Sequence, residues 1–535
     1  MGYTRKEQAV LSRYFTNTED DVFALVNLPE VIKGTLISRY SRSGKDMRRL
    51  FLDEFIASKE VSRFISQKRL DDKKLDVARA ENFYERILVG FGDDSVAELG
   101  GAHLALENIS VLATKSIEEH RIGLSPLEKS TRYVYFDKKV DGEYLFYKDK
   151  DIMRSKYKKL YLETNHLLFD TYSRIVREIQ PILKKIFPGD EKEEAYRFTI
   201  RAKACDTARA LLPISAKTNM GLFGNGRAFE YLLTHLLNDP LREVRELAQK
   251  MNRELRLVIP AFVKRVNNER GRQYGDYLNR TRQSLAYLKR LGKRKVALEK
   301  KPRVKLVDYD RRALEKVAAA IIYERTNLSY QEVLARVKRM SRKEKERILK
   351  SYCSHRQSRH HKPGRAFEWP YFSFEITADW GVYKDLMRHR MLTRHRQLFT
   401  NEMGYDVPYE VAVAGFEKIF RRAMEAALDA YDQIKKDFPY QAQYLVTHGA
   451  YNRFYLRMNL RELVHLTELR SIRQGHPSYR KVAQGMARIF TKKFPLLARY
   501  ALLFVDYNDY HLERLEAFRK LEKKAREKGV RAFVE

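Results

Sequence analysis

The sequence predicts a helix-rich α+β protein built from two similar modules in tandem. Three observations support this: extended helical periodicity, a few short alternating stretches, and sequence blocks that recur in the same order in both halves. At 535 residues the chain is too long for one ordinary core, and its 44% apolar residues are ample for burying more than one.

Helical periodicity dominates the chain. Apolar residues recur at spacings of three and four through 228–255 and 416–438, which is the pattern of amphipathic helices. Alternating, strand-like stretches are fewer and include 142–149 and 368–377. The mixture therefore favours an α+β class with helices in the majority.

The basic, weakly periodic segment 287–310 separates the two halves. Glycine and proline interrupt it, and such segments often connect modules. We therefore predict a first module over 1–290, a basic linker over 291–305 and a second module over 306–535. These modules are called copy one and copy two below.

Three sequence blocks recur in order in the two copies. They pair Glu98 with Glu368, His120-Arg121 with His389-Arg390, and the triplet Asn225-x-Arg227 with Asn459-x-Arg461. The histidine and the asparagine are 105 residues apart in copy one and 70 apart in copy two. Copy one therefore carries about 35 additional residues, which we place near 137–200. An ordered set of matches argues for duplication rather than for chance similarity between helices.

Composition restricts the function classes. The net charge of +35 implies attraction to polyanions such as nucleic acid, phosphorylated metabolites or polyglutamylated cofactors, or simply a solvated basic surface. The start lacks a secretory signal and no stretch of about 18 apolar residues occurs, so we expect a cytoplasmic protein without a membrane span. Two cysteines cannot form a disulfide framework or a four-thiolate metal site, and we expect no metal.

One candidate binding motif is HRIGLSPLEKSTRY at 120–133 in copy one. Arg132 can bind a phosphate through two nitrogens, Ser130 can donate its hydroxyl, and Glu128 can accept from a ring or a ribose. The alternative interpretation is a basic loop with ordinary surface ion pairs.

A second candidate is RHRMLTRHRQLFTNEMGY at 388–405 in copy two, which contains two Arg-His-Arg triplets. Its adjacent cations suit a diphosphate or an anionic flavin, and they also suit nucleic acid. His389 and His395 are six residues apart and do not share a helical face, so the spacing does not favour a metal. The histidine-rich segment 355–364 reads more simply as a phosphate-binding loop.

Several catalytic signatures are missing from the sequence. It has no Walker loop, no GxGxxG after a strand, no GxSxG and no HExxH. Neither cysteine has a plausible base beside it, so catalysis through a thiolate nucleophile has no evident carrier.

The two motifs together resemble the flavin-dependent thymidylate synthases, whose hallmark is RHRxxSxNExSxRY. Copy one keeps His120-Arg121, Glu128, Ser130 and Arg132 but has Glu119 in place of the first arginine, lacks the Asn and holds one inserted residue. Copy two keeps Arg388-His389-Arg390 and lacks the S-x-R-Y end. Each copy thus carries part of the hallmark.

Other family residues are divided between the copies in the same way. The family arginine that binds the nucleotide phosphate matches Arg209, where copy two has Gln443. The family arginine that activates the uracil ring matches Arg470, where copy one has Leu236. This division suggests composite sites that use residues from both copies, and the opposing interpretation is that both copies have lost activity.

The resemblance implies two modules, each a small antiparallel sheet packed with helices, that convert dUMP to dTMP with FAD, NADPH and methylenetetrahydrofolate. Arg470 would be catalytic and would contact the substrate. The other implied substrate-binding residues are Ser130, Thr131, Arg132 and Arg209. The implied flavin-binding residues are Ser95, Glu98, His120, Arg121, Glu128, Asn225, Arg227, Arg388, His389, Arg390, Asn459 and Arg461.

Family members are homotetramers, so the resemblance also implies a homodimer of fused chains that mimics the tetramer. Two alternatives remain open at this stage. One is an FAD-binding paralogue without synthase activity that acts on another pyrimidine, including one within RNA. The other is a non-catalytic nucleic-acid-binding protein on the same scaffold, for which the basic charge is suitable.

Overall fold

A computed structural model of the protein describes residues 3–41, 43–57, 96–288, 298–299, 301–530 and 532. These residues form many helices and small antiparallel sheets, which confirms the predicted helix-rich α+β class. The strands are β1 (Gly101–Ser110), β2 (Leu124–Glu128), β3 (Lys139–Val140), β4 (Glu143–Tyr144), β5 (Lys217–Asn225), β6 (Arg303–Tyr309), β7 (Tyr371–Asp379), β8 (Leu392–Arg396) and β9 (Tyr451–Asn459).

The α-helices lie between and after these strands. They are α1 (Arg5–Leu11), α2 (Glu30–Tyr40), α3 (Met47–Leu50), α4 (Val111–Glu118), α5 (Lys150–Met153), α6 (Lys158–Ile186), α7 (Glu194–Ala208), α8 (Gly226–Leu236), α9 (Arg242–Val258), α10 (Pro260–Val263), α11 (Glu269–Ser284), α12 (Ala313–Tyr323), α13 (Tyr330–Arg339), α14 (Arg342–Cys353), α15 (Trp380–Leu386), α16 (Tyr409–Val413), α17 (Glu417–Ile434), α18 (Leu460–Arg470), α19 (Pro477–Lys493), α20 (Pro495–Ala501) and α21 (Leu515–Glu527). A π-helix spans Phe51–Ile56, and 3-10 helices span Val96–Glu98, Arg209–Leu211, Lys264–Val266, Arg365–Glu368 and Gln441–Leu445.

The chain packs into two compact units that are discontinuous in sequence. Unit 1 comprises Met1–Ile109, Ala113–Glu128 and Thr218–Arg294, and unit 2 comprises Ser110–Leu112, Lys129–Lys217 and Lys295–Glu535. Unit 2 therefore contains copy two together with a large part of copy one. The predicted module boundaries follow a repeat in sequence rather than packing, and they stay a prediction.

Unit 1 contains a three-stranded sheet in the order β1-β5-β2. Strand β5 alternates buried and exposed residues, because one face of the sheet packs on the helices that follow it. Its Gly224 lies so close to the Leu124 side chain that an added Cβ would come within 2.4 Å of it. Glycine at this position therefore permits close packing of β5 against β2.

Unit 2 contains a four-stranded antiparallel sheet in the order β6-β7-β9-β8. Strands β7, β9 and β8 repeat the order of β1, β5 and β2, as expected for duplicated modules. The added edge strand β6 begins at Arg303, inside the predicted linker, and pairs with β7 from Arg303↔Thr377 onward. Charged residues alternate with Val304 and Leu306 there, as in a half-buried strand, but the segment was assigned to the linker because it is basic and interrupted by Pro302.

The additional residues of copy one lie mainly in α6 and α7. Helix α6 has 29 residues, whereas its counterpart α17 in copy two has 18. Helix α7 has no counterpart, because only six residues separate Ile434 from Gln441 in copy two. Eleven residues of α7 are buried, including the charged Lys203 and Asp206. The insertion is therefore part of the core of unit 2 rather than a surface loop.

Equivalent segments of the two copies contact each other reciprocally within unit 2. The backbone N–H of Ile214 donates to the carbonyl of Val446 at 2.8 Å, and that of His448 donates to the carbonyl of Leu212 at 2.9 Å. Ile214 and His448 occupy equivalent positions in the repeat, as do Leu212 and Val446. Such an exchange of identical contacts is the signature of a local pseudo-two-fold axis between these two segments of unit 2.

No helix in the described part of the chain is long and apolar enough to cross a lipid bilayer.

Candidate active site

Unit 2 places the end of the copy-one motif beside copy-one helix α7. Arg132 donates from Nε to Oδ1 of Asp206 at 2.9 Å and from Nη2 to Oδ2 at 3.0 Å. Arg514, just before α21, donates to the same Oδ2 at 2.5 Å. Burial alone would raise the pKa of Asp206, but the two guanidinium groups hold it well below its ordinary value. Asp206 is therefore ionised and forms a buried bridge between two arginines.

Arg209 lies in the 3-10 helix after α7 and faces copy two. Its Nη2 is 3.9 Å from Oδ2 of Asp385 on α15. Among the described residues, neither of these two buried atoms has a hydrogen-bond partner. An added Cβ on Gly381 would come within 2.9 Å of the Arg209 Nη2, so the glycine makes room for the guanidinium. Buried polar atoms without partners are rare and often mark a ligand site.

Asp385 is surrounded by positive side chains from both copies. Burial by itself would raise its pKa, but Arg209 and Arg388 reverse that effect and hold the pKa below its ordinary value. The neighbouring Asp379 behaves differently, because burial outweighs Arg209 and raises its pKa. The two carboxyl groups thus differ in how readily they ionise.

Tyr479 on α19 connects the contributions of the two copies. Its hydroxyl is 3.4 Å from Nη1 of Arg132. The guanidinium carbons of Arg132 and Arg470 lie 5.8 Å and 5.6 Å from the centre of its ring. Arg132, from copy one, and Arg470, from copy two, therefore share one aromatic neighbour, which favours both cations.

Arg470 ends helix α18 and donates from Nε to Nε2 of His389 at 2.9 Å. The other ring nitrogen of His389, Nδ1, is 2.6 Å from Oε1 of Glu462. Burial, reinforced by Arg470 and Lys362, holds the pKa of His389 well below its ordinary value. His389 is therefore neutral, and both of its ring nitrogens are engaged.

The remaining copy-two candidates lie in the loop that carries His389 and at the start of helix α18. The side chains of Arg388 and Arg390 are exposed on either side of the buried His389. Asn459 caps α18 by accepting from the N–H of Glu462 at 2.9 Å. Arg461 donates to Glu368 at 2.9 Å and to the carbonyl of Pro363 at 2.7 Å.

The copy-one candidates for flavin binding lie in unit 1, except Ser95, which is outside the described residues. Arg227 donates to Glu98 at 2.8 Å, which reproduces the Arg461–Glu368 pair of copy two. Asn225 caps α8 as Asn459 caps α18. His120 Nδ1 is 2.9 Å from the carbonyl of Ser116. Arg121 is half-buried in the turn before β2.

Glu128 is buried against Lys115 in unit 1. The Nζ of Lys115 is 3.0 Å from Glu128 and also bonds Glu118. The Lys115 side chain has no exposed surface. The predicted role of Glu128 in flavin binding stays a prediction, and the contacts show a carboxylate that serves an internal ion cluster.

Replacing Lys115 with Met is expected to destabilise the protein by about 3–5 kcal/mol, because two buried carboxylates would lose their common cation. Urea denaturation monitored by far-UV circular dichroism measures the change in the free energy of unfolding. Lys139→Met is the matched control, because Lys139 is exposed and lies 3.8 Å from an exposed Asp170. An equal loss of unfolding free energy in both variants would contradict the argument that the buried cluster stabilises the protein.

Both cysteines are buried thiols. Burial raises the pKa of Cys205 to about 12 and that of Cys353 to about 11. Neither side chain is a thiolate at neutral pH, which agrees with the absence of a nucleophilic cysteine in the sequence analysis.

Sequence reasoning missed five residues that complete this cluster: Asp206, Asp385, Glu462, Tyr479 and Arg514. Asp385 and Glu462 flank the motifs that were recognised, so their carboxylates beside arginines were a usable signal. Asp206 and Arg514 are 308 residues apart, and no local pattern connects them.

Comparison with known proteins also finds two similar regions in the chain. The model of the family described as thymidylate synthase complementing protein matches the chain twice, over residues 51–261 and 305–496. UPF0159 proteins of Chlamydia pneumoniae and Chlamydia muridarum are each 43% identical to it over 96% of this chain and 97% of their own length. A UPF0159 protein of Thermoplasma acidophilum is 33% identical over 91% of this chain and 97% of its own.

Among solved structures, a UMP/dUMP methylase from Streptomyces cacaoi bound with 5-Br dUMP is 17% identical. It covers 39% of this chain and 100% of its own, with a TM-score of 0.31.

Proposed function

The chain belongs to the thymidylate synthase complementing protein family, and from this premise we propose that it is a flavin-dependent thymidylate synthase. It would methylate dUMP at C5, with methylenetetrahydrofolate as the carbon donor and NADPH as the reductant. The observation that carries the proposal is the meeting of Arg132 and Arg209 from copy one with Arg470 from copy two in unit 2. A site of this kind needs both copies, as the divided motifs require.

We assign the nucleotide phosphate to Arg209 and Arg132. Arg209 has a buried Nη2 that the described residues leave without an acceptor, and a phosphate oxygen would supply one. Arg132 has Nε and Nη2 engaged by Asp206, so Nη1 is the nitrogen that faces outward to Tyr479 and a ligand. Ser130 and Thr131 precede Arg132 and would add hydroxyl donors.

We assign activation of the uracil ring to Arg470. A guanidinium beside the ring would stabilise the negative charge that develops on it and thereby raise the nucleophilicity of C5. Arg470 is partly buried, and burial lowers its pKa despite the opposing charge of Asp385. Electrostatic stabilisation is stronger in such an environment than in water.

The copy-two donors also fit FAD. Arg388 and Arg390 present exposed guanidinium groups, and Asn459 and Arg461 lie at the N-terminus of α18, where an anionic diphosphate is favoured. These residues would hold the cofactor. When bound, FAD supplies the hydride-transfer chemistry that protein side chains lack.

Replacing Arg209 with Gln is expected to weaken dUMP binding by about 10- to 100-fold, because a charge-assisted contact to the phosphate is lost. Titration calorimetry with dUMP measures the change, and thermal unfolding checks that the variant is folded. Arg499→Gln is the control, since Arg499 is exposed and forms an ion pair with Glu346. Equal affinities of wild-type protein and Arg209→Gln would contradict the phosphate assignment.

Tritium release from [5-³H]dUMP tests the whole proposal. FAD-reconstituted protein supplied with methylenetetrahydrofolate and NADPH is expected to release tritium above a no-enzyme control. Absence of release from protein that demonstrably binds FAD would overturn the synthase proposal. Methylation of another pyrimidine, or salt-sensitive RNA binding, would then be sought in its place.

A further inference from the structure

The hydrogen-bonded chain Glu462–His389–Arg470 has a role that the family motif does not assign to it. The motif predicted His389 as a flavin-binding residue. In the structure the imidazole is buried, with 4% of its surface exposed, and lies between a carboxylate and a guanidinium. Neither ring nitrogen is left for a ligand.

The two contacts of His389 define its tautomer. The Nε–H of Arg470 can only donate, so Nε2 of His389 must accept. The carboxylate of Glu462 accepts, so Nδ1 of His389 must carry the proton and donate it. The neutral Nδ1–H form is the single protonation state that satisfies both contacts.

The hydrogen-bonded series Glu462–His389–Arg470 spans the length of helix α18. Glu462 is in the first turn of α18 and Arg470 is its last residue, about 12 Å further along the axis. The imidazole comes from the loop after α15 and spans the gap between them. Because the imidazole takes the Nε–H of Arg470, the two Nη nitrogens remain as the donors for Tyr479 and a substrate.

Copy one provides an internal comparison. It keeps the histidine as His120, but Ala228 stands in place of Glu462 and Leu236 in place of Arg470. Nδ1 of His120 contacts the carbonyl of Ser116 instead. The carboxylate is therefore present in the copy that carries the arginine and absent from the copy that does not.

We propose that Glu462 and His389 are positioning residues that orient the guanidinium of Arg470 toward the pyrimidine. This inference rests on the proposed function of Arg470. Glu462 holds the imidazole in one tautomer, and the imidazole holds the guanidinium through Nε. A free Arg470 side chain would sample several rotamers, and misplacement by about 1 Å can cost a reaction about 100-fold.

Burial, reinforced by neighbouring cations, keeps the imidazole of His389 neutral. Lys362 places Nζ 2.6 Å from Nδ1 of His465, and the His465 ring is 5.3 Å from the His389 ring. Burial, together with nearby positive charge, lowers the pKa of His465 to about 4, so this ring is also neutral. Protonation of His389 would add a cation beside Arg470 and Lys362, which is unfavourable.

Kinetics of matched variants test the role. His389→Leu and Glu462→Ala are expected to lower kcat by about 10- to 100-fold while the KM for dUMP changes less than about threefold, because orientation matters most in the transition state. His389→Gln and Glu462→Gln, which keep acceptor oxygens, should recover part of the loss. An unchanged kcat in His389→Leu would overturn the inference.

A double-mutant cycle separates positioning from general destabilisation. If His389 acts through Arg470, adding His389→Leu to Arg470→Lys should lower kcat by less than about threefold beyond Arg470→Lys alone. A full additional loss would show that the histidine acts independently of the arginine. Urea midpoints of all variants identify any that have lost their fold.

Solid-state NMR of ¹⁵N-histidine-labelled full-length protein gives a readout that needs no activity. The protein has thirteen histidines, and the signals that disappear from the spectrum of His389→Gln identify His389. The expected signature is a neutral Nδ1–H imidazole whose Nε2 resonance shifts in Arg470→Lys. An Nε2–H or charged ring overturns the inference. A wild-type protein that shows the Nδ1–H signature but releases no tritium overturns the proposed function, and the catalytic role with it.

Discussion

Replacing Arg470 with alanine is expected to reduce tritium release from [5-³H]dUMP by at least about 10²- to 10³-fold. Removing one preorganised hydrogen-bond donor from a site where negative charge develops in the transition state lowers the rate by about this factor. The loss should fall on kcat, because the guanidinium interacts most strongly when charge builds on the ring. FAD should remain bound at wild-type stoichiometry, since the proposed flavin contacts come from other residues.

The control for Arg470 is Arg488→Ala on the neighbouring helix α19. Arg488 is exposed and contacts only the ring of Tyr507 among the interactions seen for it in the described chain. That variant should release tritium at the wild-type rate. If Arg470→Ala instead lost its flavin absorbance, the assignment of this arginine to the pyrimidine would be wrong.

Replacing Asp206 with alanine is expected to lower the free energy of unfolding by about 3–5 kcal/mol, because Arg132 and Arg514 would be left as buried charges without their carboxylate. Urea denaturation measures the change. Glu178→Ala is the matched control, since Glu178 and its partner Arg174 are both exposed and such pairs contribute about 0–1 kcal/mol. Comparable midpoint shifts for the two variants would contradict the argument.

The same carboxylate makes stability depend on pH in a defined direction. The pKa of Asp206 is lower in the folded protein than its ordinary value of 3.8. Its contribution is therefore complete above about pH 3.8 and is lost as the pH falls through the lower folded value. Asp206→Asn lacks this group, so the difference in unfolding free energy between wild type and variant should shrink in that acidic range.

Recognisable motifs allowed much of this organisation to be predicted. The repeated Glu, His-Arg and Asn-x-Arg blocks correctly indicated duplication, because each is a short local pattern. The structure shows why they recur: Arg227 pairs with Glu98 and Arg461 with Glu368, while Asn225 and Asn459 cap equivalent helices.

Strand β7 overlaps the predicted strand-like stretch 368–377, although it is buried along most of its length and lacks clean alternation because both faces of the sheet are covered. Other strands escaped prediction for physical reasons. Strand β5 alternates, but glycines at Gly221 and Gly224 weaken the pattern. Strand β6 has strand-like alternation, but it was overlooked because it begins inside the basic segment assigned to the linker.

The long-range part of the site could not be read from sequence. Asp206 meets Arg132 and Arg514 only after α7 has packed beside α21, and those partners are 74 and 308 residues away. Arg514 also lies beyond the segment that matches the family model, which ends at residue 496. Tertiary packing alone brings these groups together.

The reciprocal hydrogen bonds between Leu212–Ile214 and Val446–His448 have a kinetic consequence. Two halves held in one covalent chain meet at an effective concentration set by their tether rather than by the amount of protein in solution. The pairing is therefore first-order, and dilution cannot separate Arg209 from Arg470. An enzyme assembled in this way would keep its specific activity at nanomolar concentrations, where a complex of separate subunits dissociates.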